Sequence, residues 1–153
     1  MAKLGDMVEY LKRNGVAYEV VEHTEGSTVR KQETSSGNAV NDLARTFIVQ
    51  ADDKRCMVVL PASSQPNELV LSKILKANNL HLAQQDDLQP IFPECEFDAM
   101  PPFGNLYALP VIIDKELAKE KEIIFNACSK NKSIRLKMDD YLRIVKPQIK
   151  EIL

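Results

Sequence analysis

Between Phe92 and Gly104 the chain reads FPECEFDAMPPFG, and the prolines at 93, 101 and 102 restrict its path. Each proline fixes φ and withdraws a backbone donor, so neither a helix interior nor a central strand can run through the segment. Gly104 adds a backbone geometry that a side chain would forbid. The run predicts a rigid, irregular, pocket-forming loop whose N–H groups can face a ligand rather than a ladder partner.

Regular elements are expected on both sides of it. Leu4, Met7, Val8 and Leu11 recur at helical spacing and stop at Asn14-Gly15, which predicts an amphipathic helix. Val16 to Val21 reads as a strand, and Ser27 can cap a short polar helix ending near Gly37. Thr46–Gln50 and Cys56–Leu60 are β-branched and apolar around Ala51-Asp-Asp-Lys54, which predicts a central hairpin. Asn67 is placed to cap a helix through Ala77, with Leu69, Leu71, Ile74 and Leu75 on its core face. A short helix over Gln85–Leu88 precedes Pro90. Strands are expected at Val111–Ile113, Ile123–Ala127 and Ser133–Leu136, and a helix over Met138–Ile152 broken at Pro147. The strands lack a βαβ rhythm, so the fold class is α+β.

With 153 residues and 44% apolar content, the chain can bury one core and is read as a single domain, residues 1–153. Its net charge of −2 gives no overall basic field. The distribution is uneven: Lys119 to Lys150 holds nine Lys/Arg against four Asp/Glu, whereas Gln84 to Met100 holds five acids and no base. A polyanion should therefore approach the C-terminal part, unless these lysines only solvate the surface. Cys56, Cys95 and Cys128 are widely spaced without a CxxC pair, which indicates neither a disulfide framework nor a zinc site and implies a reducing cytoplasm. The N-terminus lacks the apolar core of a signal peptide, and no stretch is apolar enough to span a bilayer, so no membrane role is expected. His23 and His81 are the two histidines, and no metal or other cofactor is implied.

Several segments fall together in one pattern. The run Asp98–Gly104 resembles the GxxxPFG loop of the YbaK and prolyl-tRNA-synthetase-associated domains, with Asp98 at the leading glycine. Tyr18–Thr24 (YEVVEHT), Leu43–Val49 (LARTFIV), Met57–Ala62 (MVVLPA) and Ile123–Lys130 (IIFNACSK) follow that family's order and approximate spacing. The resemblance implies a curved, barrel-like mixed β-sheet flanked by helices, with a substrate pocket between sheet and PPFG loop.

It also implies a chemistry, hydrolysis of the ester joining an amino acid to the 3′ acceptor end of tRNA, in trans and without a cofactor. Such an ester is activated, so positioned water and oxyanion stabilisation suffice without a nucleophilic triad. The implied catalytic residues are Arg45, at the family's lysine position, and Ser129. The implied substrate-binding residues are His23, Thr24, Leu60, Pro61, Ala62, Asp98, Pro102, Phe103, Gly104, Cys128 and Lys130. The implied partners are aminoacyl-tRNA and an aminoacyl-tRNA synthetase. Bland readings stand beside these: Arg45 as a charged strand entry, His23-Thr24 as a strand-end pair, Asp98 as a turn former and Cys128 as a small buried residue. Departures from the family pattern at 45, 98, 128 and 130 leave open a second class, a catalytically weakened sensor of aminoacyl-nucleotide, amino acid or a protein partner.

Overall fold

A computed structural model of the protein describes residues 4–22, 43–93, 95–96, 99–129 and 131–152. The expected polar helix from Ser27 lies outside them. Helix α1 (Leu4–Arg13) buries Met7 and Leu11 completely, and Gly15 ends it at φ 67 where Val16 N–H donates back to Leu11 O at 3.0 Å. Strand β1 (Tyr18–Glu22) then pairs antiparallel with β7 (Lys132–Lys137), which pairs in turn with β6 (Glu122–Ser129).

The predicted hairpin is β2 (Ala44–Ala51) and β3 (Lys54–Pro61), and it sits inside a five-stranded sheet whose order is β4 (Leu80–Leu82), β2, β3, β5 (Val111–Asp114) and β8 (Gln148–Lys150). Asp52, in the turn at φ 56, accepts backbone bonds from Asn78 and Asn79 and so ties the hairpin tip to the chain entering β4. Strand β5 runs parallel to both β3 and β8, and all four of its residues are buried. Leu43 bridges to Ile124 and joins the two sheets. The barrel-like arrangement is thus two curved sheets joined at one bridge among the described residues, and not a closed barrel.

The main core lies between the sheets, with Ile48, Met57, Val59, Ile113, Phe125 and Ile134 meeting α1 and α5 (Met138–Val145), the helix that follows the short α4 (Lys115–Ala118) in the chain. A second core fills the outer face of the larger sheet, where Val49, Val58, Leu60 and Ile112 meet Leu71 of α2 (Glu68–Leu75). Asn67 caps α2 as expected, accepting from Leu69 and Val70 N–H at 3.0 and 3.3 Å. The short helix α3 (Gln85–Leu88) has the expected bounds, and its backbone is closed by Asp87 accepting from Gln84 N–H at 2.9 Å.

Three expectations need correction. Leu69 does not face the core but is 77% exposed, because in the first turn of α2 it points away from the sheet that Leu71 covers. The last helix does not resume after Pro147: Lys146 turns left-handed at φ 54, and residues 148–150 join the sheet as β8. Parallel pairing to the buried β5 supplies ladder partners that continued helix would not. Cys95 and Cys128 form a disulfide across a sequence separation of 33, where spacing indicated none, because the 92–104 loop folds back against the end of β6.

Candidate active site

The site begins with strand register. Arg45 pairs with Leu60 and Ala44 with Pro61, and the ladder continues one step as Ala62 N–H donates to Leu43 O at 2.9 Å. The Arg45 segment and the Leu60-Pro61-Ala62 turn are therefore one local unit. Alternation puts Leu43, Arg45 and Phe47 on one face of β2. The Arg45 guanidinium lies 4.9 Å from the centre of the Phe47 ring, a cation–π contact that holds it against the sheet. Leu43 packs with Ile124 and Ala62 in a small separate cluster at the joint between the sheets.

The second group gathers at the end of β6. A bulge falls between Asn126 and Ser129, and within it Cys128 sits at φ 64, a conformation rare for a residue with a side chain. Two backbone bonds clamp it to the proline-rich loop, Cys128 N–H to Ala99 O at 2.8 Å and Glu96 N–H to Cys128 O at 3.0 Å. The next residue, Ser129, is half-buried, and its hydroxyl accepts from Asn131 N–H at 3.2 Å. The bridge at Leu43–Ile124 brings the strands carrying the two groups side by side.

Pro102, Phe103 and Gly104 are placed differently from a pocket lining. Phe103 is fully buried as the hub of edge-to-face contacts with Tyr10, Phe125 and Tyr141 at 5.9, 5.2 and 5.5 Å. The Tyr141 hydroxyl donates to Pro102 O at 2.6 Å. A Cβ at Gly104 would stand 2.5 Å from Val111 Cγ2 and 2.6 Å from Leu109 O, so glycine is required by close packing against β5. These three residues fix the loop's shape from inside. His23, Thr24, Asp98 and Lys130 lie outside the described residues.

Of the basic residues in β7, Arg135 forms an ion pair with Glu19 of β1 at 3.4 Å, opposite it in register. Lys137 shares that face and is exposed, while Lys132 has the opposite parity. Cys56 is buried in the second core, and burial pushes its thiol up to about 11, so it stays protonated and inert near neutrality. Among the described residues no group of three His, Cys, Asp or Glu is placed to hold a metal ion, and no helix is long and apolar enough to cross a membrane.

Sequence reasoning missed Tyr141, Cys95 and Asp114. The Asp114 carboxylate is buried, caps the helix after β5 through Glu116 N–H at 3.0 Å, and accepts from Ile152 N–H at 3.0 Å. An isolated tyrosine or aspartate in a mixed sequence carries no local signal for such distant partners.

The fold and these groups define a class of small α+β domain in which a strand carrying a cation beside a proline turn bridges, at the joint of two sheets, to a strand that ends in a bulge. The chain belongs to the aminoacyl-tRNA editing domain family, whose model matches residues 23–144. It is 26% identical over 148 residues to the multifunctional Ser/Thr-tRNA deacylase ProXp-y of Escherichia coli K12, covering 94% of this chain and 88% of that protein. A candidate trans-editing enzyme for prolyl tRNA synthetase superposes with a TM-score of 0.82 at 14% identity, covering 95% of this chain and 93% of its own. A hypothetical protein of known structure matches with the same TM-score and identity, covering 95% and 97% of the two chains. At that identity the structural likeness establishes the fold.

Proposed function

We propose that the protein is a trans-acting deacylase that hydrolyses the ester of mischarged aminoacyl-tRNA. The family match over residues 23–144 carries this reading. It is supported by the register that sets Arg45 beside Leu60, Pro61 and Ala62. Arg45 binds the terminal phosphate or ribose through its fork of N–H donors; always charged, it does not act as a general base. Ser129 contributes its hydroxyl or N–H to the acyl-adenosine end, and the proton transfers fall to water and substrate hydroxyls.

His23, Thr24, Ala62, Asp98 and Lys130 complete the substrate contacts in this reading, whereas the buried Leu60, Pro61 and Cys128 contribute through backbone placement at the pocket wall. Pro102, Phe103 and Gly104 act through the backbone shape they impose. The acceptor stem approaches over the basic C-terminal part, and the reaction belongs to the cytoplasm, where aminoacyl-tRNA is used. The curated relative is named for Ser/Thr-tRNA, which makes these the first substrates to test. The likeness to a candidate partner of prolyl tRNA synthetase makes that enzyme the first to test for association.

Deacylation is measured across a panel of aminoacyl-tRNAs with the protein at catalytic amounts. Multiple turnovers on at least one mischarged tRNA are expected. Binding without turnover across the whole panel would replace the deacylase by a sensor.

A further inference from the structure

We propose that Cys95 and Cys128 form a reversible thiol–disulfide exchange site that sets the backbone geometry at Ser129 and with it the editing activity. This deepens the reading above and rests on Ser129 belonging to the active site. The two residues are bonded with their Cα atoms 4.2 Å apart, and they join the proline-rich loop to the bulge of β6. Cys128 is held at φ 64, which its side chain disfavours, by two backbone bonds and this one covalent link. Cutting the link removes a restraint from the residue next to Ser129.

The two sulfurs differ in access. Cys128 is buried, whereas Cys95 is half-buried and lines a small cleft with Gln89, Phe92, Glu96 and Met100. The Tyr107 hydroxyl lies 4.0 Å from Cys95 Sγ. Cys56 lies in the other core and takes no part. A protein that acts on aminoacyl-tRNA works among cellular thiols, and disulfides in that setting are as a rule transient and redox-sensing.

The exchange is balanced with a small thiol or a dithiol protein as reductant. Its thiolate attacks Cys95 Sγ, the bond to Cys128 breaks, and Cys128 leaves as a thiolate that takes up a proton. A second reductant thiol then resolves the mixed disulfide at Cys95. The pair gains two electrons and two protons, and two reductant thiols become one disulfide.

The test equilibrates the full chain with oxidised glutathione or with dithiothreitol. Each sample is alkylated under denaturing conditions for mass measurement, and hydrogen exchange and deacylation are followed in parallel. One alkylated thiol is expected after oxidation and three after reduction. The amides of Glu96 and Cys128 should exchange about tenfold faster when reduced. Deacylation should fall roughly tenfold on reduction. Cys95→Ser should match the reduced protein under both treatments. Three alkylated thiols after oxidation, equal exchange in both states, or equal deacylation by both forms overturns the proposal. If no aminoacyl-tRNA is hydrolysed in either state, the deacylase reading fails, and the thiol count and exchange rates still decide whether the pair controls this backbone.

Discussion

Arg45 and Tyr141 show how single side chains divide the work. Arg45 is held across the Phe47 ring at the strand pair that carries the Leu60-Pro61-Ala62 turn, where a cation can meet a phosphate without entering the core. Arg45→Ala should lower kcat/KM by about 10–100-fold, while Arg45→Lys, which keeps the charge, retains most of it. Equal kcat/KM in wild type and Arg45→Ala would remove the residue from the mechanism. Tyr141 acts on shape instead. Its hydroxyl is the donor to the buried Pro102 carbonyl, so Tyr141→Phe should reduce stability by about 1–3 kcal/mol in denaturant titrations. Burial also raises the phenol's pKa above its ordinary value of 10.0. The neutral form is favoured in the folded state, so its contribution is complete below the unfolded pKa and is lost as pH rises beyond it. Tyr141→Phe should therefore lose stability less steeply than wild type above about pH 10. Parallel slopes would mean that this phenol is not the buried donor.

At the scale of elements, burial separates residues that look equivalent in sequence. Leu69 and Leu71 both fit the helical pattern of α2, yet one is 77% exposed and the other fully buried. Leu71→Ala should cost about 2–5 kcal/mol, and Leu69→Ala should change stability by less than about 0.5 kcal/mol. Comparable losses in thermal or chemical unfolding would contradict the packing of α2 on the sheet. Strong local periodicity made α1, the β2–β3 hairpin and α3 legible, because their partners lie close in sequence or their caps are local. Strands β4 and β8 have three residues each, too few for alternation to register, and they exist only because β2 and β5 offer edges. The reversal at Lys146 is likewise imposed by tertiary pairing. Of the site, the Arg45 and Leu60–Ala62 segments were legible as ordered motifs, and register brought them together. The PPFG run was legible as an irregular loop, but not as one turned inward around Phe103. Nothing in the cysteine spacing signalled Cys95 with Cys128, since their contact depends on how a 33-residue separation closes.

For the whole molecule, one close contact couples loop shape to fold integrity. Gly104 packs where a Cβ would meet Val111 and Leu109, so Gly104→Ala should cost about 1–3 kcal/mol through displacement of the loop from β5. It should also reduce deacylation at temperatures where the protein remains folded, because the same loop reaches Cys128 through Ala99 and Glu96. Undiminished stability in that variant would show that the loop does not pack on β5 this closely. The joint at Leu43–Ile124 sets the strand that carries Arg45 beside the strand that ends in the clamped bulge, and the proposed deacylase reading places ester hydrolysis there by positioned water and oxyanion stabilisation. The most direct measurement is release of amino acid from seryl-, threonyl- and other mischarged tRNAs by trace amounts of the protein, with Arg45→Ala run beside it. Multiple turnovers on at least one of these tRNAs, strongly reduced in the variant, are predicted; release no faster than the uncatalysed rate across the panel would contradict the assignment.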